Sequence, residues 1–280
     1  MRRSVSLSAV LAVVAIGIGT AHAADVAPAA KIVRMGDGTV DARKIAPYDN
    51  AFVATQIFPG GRLVHPGIWT DQMRLRDVHG RKLLVRTQSL AYYDGRFLSS
   101  VNVFDPVSFA PVSDIQHNPD GSTEKWTFDG SHVEGHLTAG TPGAKEEVRK
   151  FDFPAPFYDF NCCMRSIVQA ALPLKPGFSV IVPAFEGTGT LSQVHFKAIG
   201  REKVHAGWRG TVDAQVVETP LLGGYIRFWI IDKPPYMVRM TLSANSVNPY
   251  AQSFDMIAPG PFVPPPPMPD AFGHGEPKSP

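Results

Sequence analysis

The chain has 280 residues, 44% of them apolar, with 27 Lys and Arg against 25 Asp and Glu. The charges are interspersed, and loss of a leader carrying Arg2 and Arg3 leaves 25 of each sign, so the clustered cationic excess that a phosphate backbone demands is missing. Nucleic acid is therefore not an expected partner. A chain of this length builds one domain with a real core and needs no disulfide scaffold from its two cysteines.

Residues 1–23 read as a secretory signal peptide: a basic Arg2-Arg3, an apolar run from Val10 to Ile18, and a small-residue cleavage site at Ala21-His22-Ala23. The run, nine residues from Val10 to Ile18, is short of the about 20 that a membrane-spanning helix needs. The mature chain is expected to be periplasmic or secreted, with no transmembrane span. Residues 24–47 are alanine-rich and weakly patterned, which predicts a flexible lead-in.

Residues 48–258 then read as one β-rich domain. Met73 and Leu75 alternate with Arg74 and Arg76, Val212, Ala214 and Val216 with Asp213 and Gln215, and Val238, Met240 and Leu242 with Arg239 and Thr241. Period two with one polar face predicts half-buried antiparallel strands. His79-Gly80, Asp94-Gly95, Asp120-Gly121, Asp129-Gly130 and Gly223-Gly224 supply the turns. The run YIRFWII, Tyr225 to Ile231, is apolar on both faces except at Arg227, which puts it near the centre of the sheet or under cover on both sides.

One helix is expected, over about 159–172. Asp159 is its N-cap, Phe160, Cys163, Met164, Ile167, Val168 and Ala171 form an apolar stripe, and Pro173 stops it. One helix amid antiparallel strands predicts a mainly β fold: a single curved sheet or half-barrel wrapped around that helix. Residues 259–280, with four prolines from Pro264 to Pro267, read as a disordered tail.

Chemical candidates are few. Adjacent cysteines on a helix diverge by roughly 100°, so Cys162 and Cys163 do not form a ready disulfide. Cys163 falls on the apolar stripe, and Cys162, beside Arg165, Ser166 and Gln169, is the candidate reactive thiol. His132, Glu134 and His136 share one face of a strand in SHVEGHL, but the spacing is not H-E-x-x-H on a helix, and the wet face of a hairpin explains the letters. Neither a metal nor a cofactor is expected. No catalytic motif survives, although a hydrolase or thiol enzyme remains an alternative.

The stretch from about Trp69 to Ile257 resembles a family of exported Gram-negative bacterial proteins of unknown function. The resemblance lies in Tyr93-Asp94-Gly95-Arg96 followed by VNVFDPVSFAPV (Val101 to Val112), in LPLKPG (Leu172 to Gly177), in VHFKAIGREKV (Val194 to Val204) and in FWIIDKPPYMVRM (Phe228 to Met240). It implies an architecture similar to periplasmic carriers of lipoprotein acyl chains, a curved sheet around an apolar cavity, and it carries over no catalytic residues. The expected role is non-enzymatic binding of an apolar or amphipathic ligand, such as a lipid or acyl chain, lined by Trp69, Trp126, Phe196, Phe228 and Met240. Envelope assembly through the surface and proline tail, with an envelope protein as partner, is the alternative.

Overall fold

The computed structural model describes residues 30–161, 164–221, 223–245 and 249–258. The leader, the tail at residues 259–280 and both cysteines lie outside the described residues. After a short β1 (Lys31–Ile32), a meander runs through β2 (Tyr48–Ile57), β3 (Leu63–Val78), β4 (Arg81–Tyr92), β5 (Phe97–Phe104), β6 (Pro111–His117), β7 (Thr123–Asp129), β8 (His132–Thr138) and β9 (Glu146–Asp152). Following β10 (Tyr158–Asp159) and α1 (Arg165–Ala171), a second meander comprises β11 (Ser179–Phe185), β12 (Ser192–His205), β13 (Thr211–Leu221), β14 (Gly224–Ile230), β15 (Met237–Leu242) and β16 (Ala251–Ile257).

Antiparallel pairing of β16 with β2 joins the two meanders into one sheet, with β9 at one edge and β1 and β10 both laid parallel along β11 at the other. The dipeptides expected as turns are turns, each with glycine at positive φ, where other residues meet steric strain. As the YIRFWII pattern required, β14 lies inside the sheet between β13 and β15. Its Ile226, Phe228 and Ile230 face the core, and Trp229 on the opposite face is covered by Arg239 and donates to Glu202.

The sheet curls until its two ends meet, but hydrogen bonds do not close it. Aromatic rings do: Phe185 of β11 packs against Trp126 (4.9 Å), Phe128 (5.6 Å), Phe153 (6.1 Å) and Phe157 (5.9 Å) from the other end of the strand order. The crossing segment, Phe153-Pro154-Ala155-Pro156-Phe157, contains two prolines that have no N–H to leave unpaired. Edge strand β9 carries Glu146, Glu147, Arg149, Lys150 and Asp152, charges that discourage pairing with another chain.

The Trp126 ring also explains a glycine in SHVEGHL. Trp126 and Gly135 are register partners, and a Cβ on Gly135 would stand 2.1 Å from the indole. Gly135→Ala is expected to cost about 1 to 3 kcal/mol through overpacking, read as a lower urea midpoint. An unchanged midpoint would mean that the ring moves aside freely.

Two expectations are corrected. The helix is α1 alone, shorter than 159–172, because Asp159 caps nothing helical. Asp159 sits in β10, and its carboxylate accepts from the Asn161 N–H (3.0 Å) and Asn102 Nδ2 (3.3 Å), a local turn that competes with helix. The end is as expected, with Leu172 extended (ψ 155°) before Pro173. The lead-in, in turn, is packed from Lys31 onward: β1 pairs with β11, and Val33, Val40, Ala42 and Ile45 are buried. A 3-10 turn at Ala42–Lys44 is capped by Asp41, whose N–H donates to Ala171 O (3.2 Å), so this segment plugs the end of the barrel where α1 finishes.

Candidate functional site

The stripe residues of α1 and its approach, Phe160, Met164, Ile167, Val168 and Ala171, are buried as expected. So are Ser166 and Gln169 on its other face, at 1% and 0% exposure. The helix is thus buried on its apolar stripe and at Ser166 and Gln169, with Arg165 and Ala170 partly exposed, and the wall facing those polar residues must be polar too. That wall is the inner face of β3 to β7.

Register places the residues. One row across the strands runs Met73, Arg86, Asn102, Asp114 and Trp126; the next runs Asp71, Gln88, Ser100, Gln116 and Glu124. Arg86, Gln88, Ser100, Asn102 and Asp114 are each at most 1% exposed. At one end of this band Arg86 grips Asp71 through Nε to Oδ1 (2.8 Å) and NH2 to Oδ2 (2.6 Å). The Tyr48 hydroxyl also donates to Asp71 (3.1 Å), and Arg86 reaches the helix at Ser166 Oγ (3.3 Å) and Met164 Sδ (3.5 Å).

At the other end three carboxylates meet around one residue, Asn161. Asn161 Nδ2 donates to Asp114 Oδ2 (3.1 Å) and Glu124 Oε2 (3.4 Å), while its backbone N–H holds Asp159. Gln116 adds a donor to Asp114 (3.0 Å), and the Trp126 indole N–H donates to Glu124 (3.1 Å). Burial, reinforced by the charge of Glu124, pushes the Asp114 carboxyl up to about 7. Burial and then the neighbouring Asp114 push Asp159 well above the usual carboxylate range. Between the two ends, both carboxamide atoms of Gln88, the Ser100 hydroxyl, Asn102 Oδ1 and Asp114 Oδ1 are buried with no partner among the described residues.

Of the residues expected to line a cavity, Trp126 borders the band through its bond to Glu124, and the other four lie elsewhere. Trp69 packs on Phe52 (5.2 Å) and Phe254 (5.3 Å), Phe196 on Phe160 (5.9 Å), and these join Phe228 in the larger apolar cluster around α1, with Met240 partly buried against it. Trp126 belongs to the separate aromatic seam. An open pocket of about 160 Å³ is lined by Arg165, Glu186, Ser192, Gln193, Val194, His195, Pro220 and Leu221, of which sequence reasoning had singled out only Arg165, beside the candidate thiol Cys162. Arg165 and Ser192 both bond Glu186 there. His132, Glu134 and His136 lie on β8, paired across to Asp152, Lys150 and Glu146 of β9, as the wet face of a hairpin requires. Cys162, the candidate thiol, lies outside the described residues, between Asn161 and Met164 in the chain.

The polar band had a signal in the sequence. Arg86 and Gln88, Ser100 and Asn102, Asp114 and Gln116 are i, i+2 polar pairs on consecutive strands. The same letters spell a solvent-facing side, and nothing local says that the sheet folds them inward.

Among the described residues, no helix is long and apolar enough to cross a membrane. No functionally curated protein matches the chain. Among solved structures it is similar to a β-barrel-like protein of the domain of unknown function DUF1849 from Brucella abortus, at 10% identity and a TM-score of 0.41, over 78% of this chain and 97% of that one. The family model for "Protein of unknown function (DUF3108)" matches residues 68–251, from the inner strands of the polar wall to the start of β16, and the chain belongs to that family.

Proposed function

We propose that this is an exported, non-catalytic binding protein whose amphipathic ligand places its polar end against the inner wall of β3 to β7. The observation that carries the reading is the set of buried polar atoms on Gln88, Ser100, Asn102 and Asp114 that have no partner among the described residues. Each such atom costs about 1 to 3 kcal/mol when left unmet, and a wall serving only as core would carry apolar residues instead. The apolar cluster on β11 to β16 and β2, which encloses the other side of α1, supplies the complementary surface for a hydrocarbon portion. The leader at residues 1–23 supports export to the periplasm or beyond.

Native mass spectrometry of the protein recovered from cell envelopes tests this. A retained small-molecule adduct, weakened by Gln88→Leu, is expected. A bare mass that stays bare after incubation with envelope extract would sink the reading.

A further inference from the structure

We propose that Asp114, Asp159 and Glu124 bind the primary ammonium of the ligand, so that the site selects amines over alcohols and carboxylates. The proposal rests on the binding reading above and names the chemistry of its polar end.

Three observations converge on a cation. First, the cations near the band already have carboxylates of their own: Arg86 with Asp71, Arg149 with Glu147, and Arg165 with Glu186. Asp114 and Asp159 have none among the described residues, and Glu124 has only the longer-range attraction of Arg149, which is already bonded to Glu147; the hydrogen-bond partners of all three are the neutral donors Asn102, Gln116, Trp126 and Asn161. Second, the free atoms closest to them in the register are acceptors. Asn102 turns Nδ2 toward Asp159, which leaves Oδ1 as its unmet atom, and Asp114 Oδ1 is unmet beside it. An ammonium brings three donors and no acceptor, which matches an acceptor excess as a hydroxyl or carboxylate does not. Third, the cluster approaches the surface at one member: Asp114 and Asp159 are buried, whereas Glu124 is partly exposed and shares the Asn161 carboxamide with Asp114.

Buried carboxylates without a cation retain protons, so binding an ammonium must displace them. The charged groups acting on Asp114 are Glu124 from β7 and Asp159 from β10, with the neutralised Arg86–Asp71 pair on β4 and β3, and Arg149 of β9 and Arg165 of α1 both paired elsewhere. An alkylamine, which stays protonated to pH about 10 by analogy with lysine, should therefore bind more tightly as pH rises through about 7, where Asp114 ionises. Below that pH, complex formation releases protons to the buffer.

Calorimetry with hexylamine, hexanol and hexanoate on the full mature protein separates the possibilities. Hexylamine is expected to bind at least ten-fold more tightly than either competitor at pH 8. Its apparent enthalpy at pH 6 should differ between buffers of unequal ionisation enthalpy. Asp114→Asn should weaken hexylamine at least ten-fold, while Asp213→Asn, which removes an exposed carboxylate from the outer surface of β13, should not. Equal or tighter binding of hexanol or hexanoate, or no hexylamine binding at all, overturns the amine assignment. The general binding reading is judged separately, by the adduct retained from the envelope.

Discussion

Arg86→Met is expected to lower the unfolding free energy by about 3 to 5 kcal/mol, the cost of leaving a buried charge without its partner. Both members of the pair are out of water, with side-chain exposures of 0% for Arg86 and 3% for Asp71. With the guanidinium gone, Asp71 keeps only the Tyr48 hydroxyl among its side-chain donors on the inner wall. Either Asp71 remains charged out of water without its cation or it takes a proton, and both options cost stability. The double variant Asp71→Leu with Arg86→Met removes the second charge along with the first, and it should recover most of the loss, short of the bond from Tyr48. Urea unfolding of the wild type and both variants, followed by tryptophan fluorescence, gives the comparison. A single variant within about 1 kcal/mol of wild type would place this pair in water, where such bridges contribute little.

Asp114→Asn should stabilise the protein, by an amount that grows with pH. The Asp114 carboxyl is raised from 3.8 to about 7 in the fold. Between those values the native state holds a proton that the unfolded chain has lost, so stability falls as pH rises through this window and the full cost is present above it. A shift of about three units corresponds to on the order of 4 kcal/mol. Asparagine presents the shape of the protonated acid and still accepts from Gln116 and Asn161 through one oxygen. The variant should therefore differ little from wild type near pH 4 and be more stable by a few kcal/mol near pH 8, with Asp159 still titrating beside it. A gain that is equal at both pH values would mean that it arises from packing rather than from ionisation.

Much of the architecture was legible in the order of residues. Alternation along β3, β13 and β15, glycines where turns need positive φ, and one apolar helical stripe halted by Pro173 sufficed for a mainly β chain folded around a short helix. The polar inner wall was not legible. In β4 and β5 the usual assignment of faces is inverted: Leu83, Val85, Val101 and Val103 point away from the helix and form an outer cluster, while Arg86, Gln88, Ser100 and Asn102 point toward it. Period two records that a strand has two unlike faces, but it carries no sign for which face is inside.

Local pattern therefore determined the elements, their turns and the need for a helix at the centre, because those depend on backbone sterics and on the spacing of apolar groups within a few residues. Only the curled tertiary structure decided that the polar faces of consecutive strands would meet Ser166 and Gln169 indoors, that Asp159 would leave the helix to join Asn102 and Asn161, and that residues 31–47 would plug one end. Those outcomes depend on contacts between segments far apart in the chain. Their energies arise from desolvation and pairing, which do not exist until the sheet has curled.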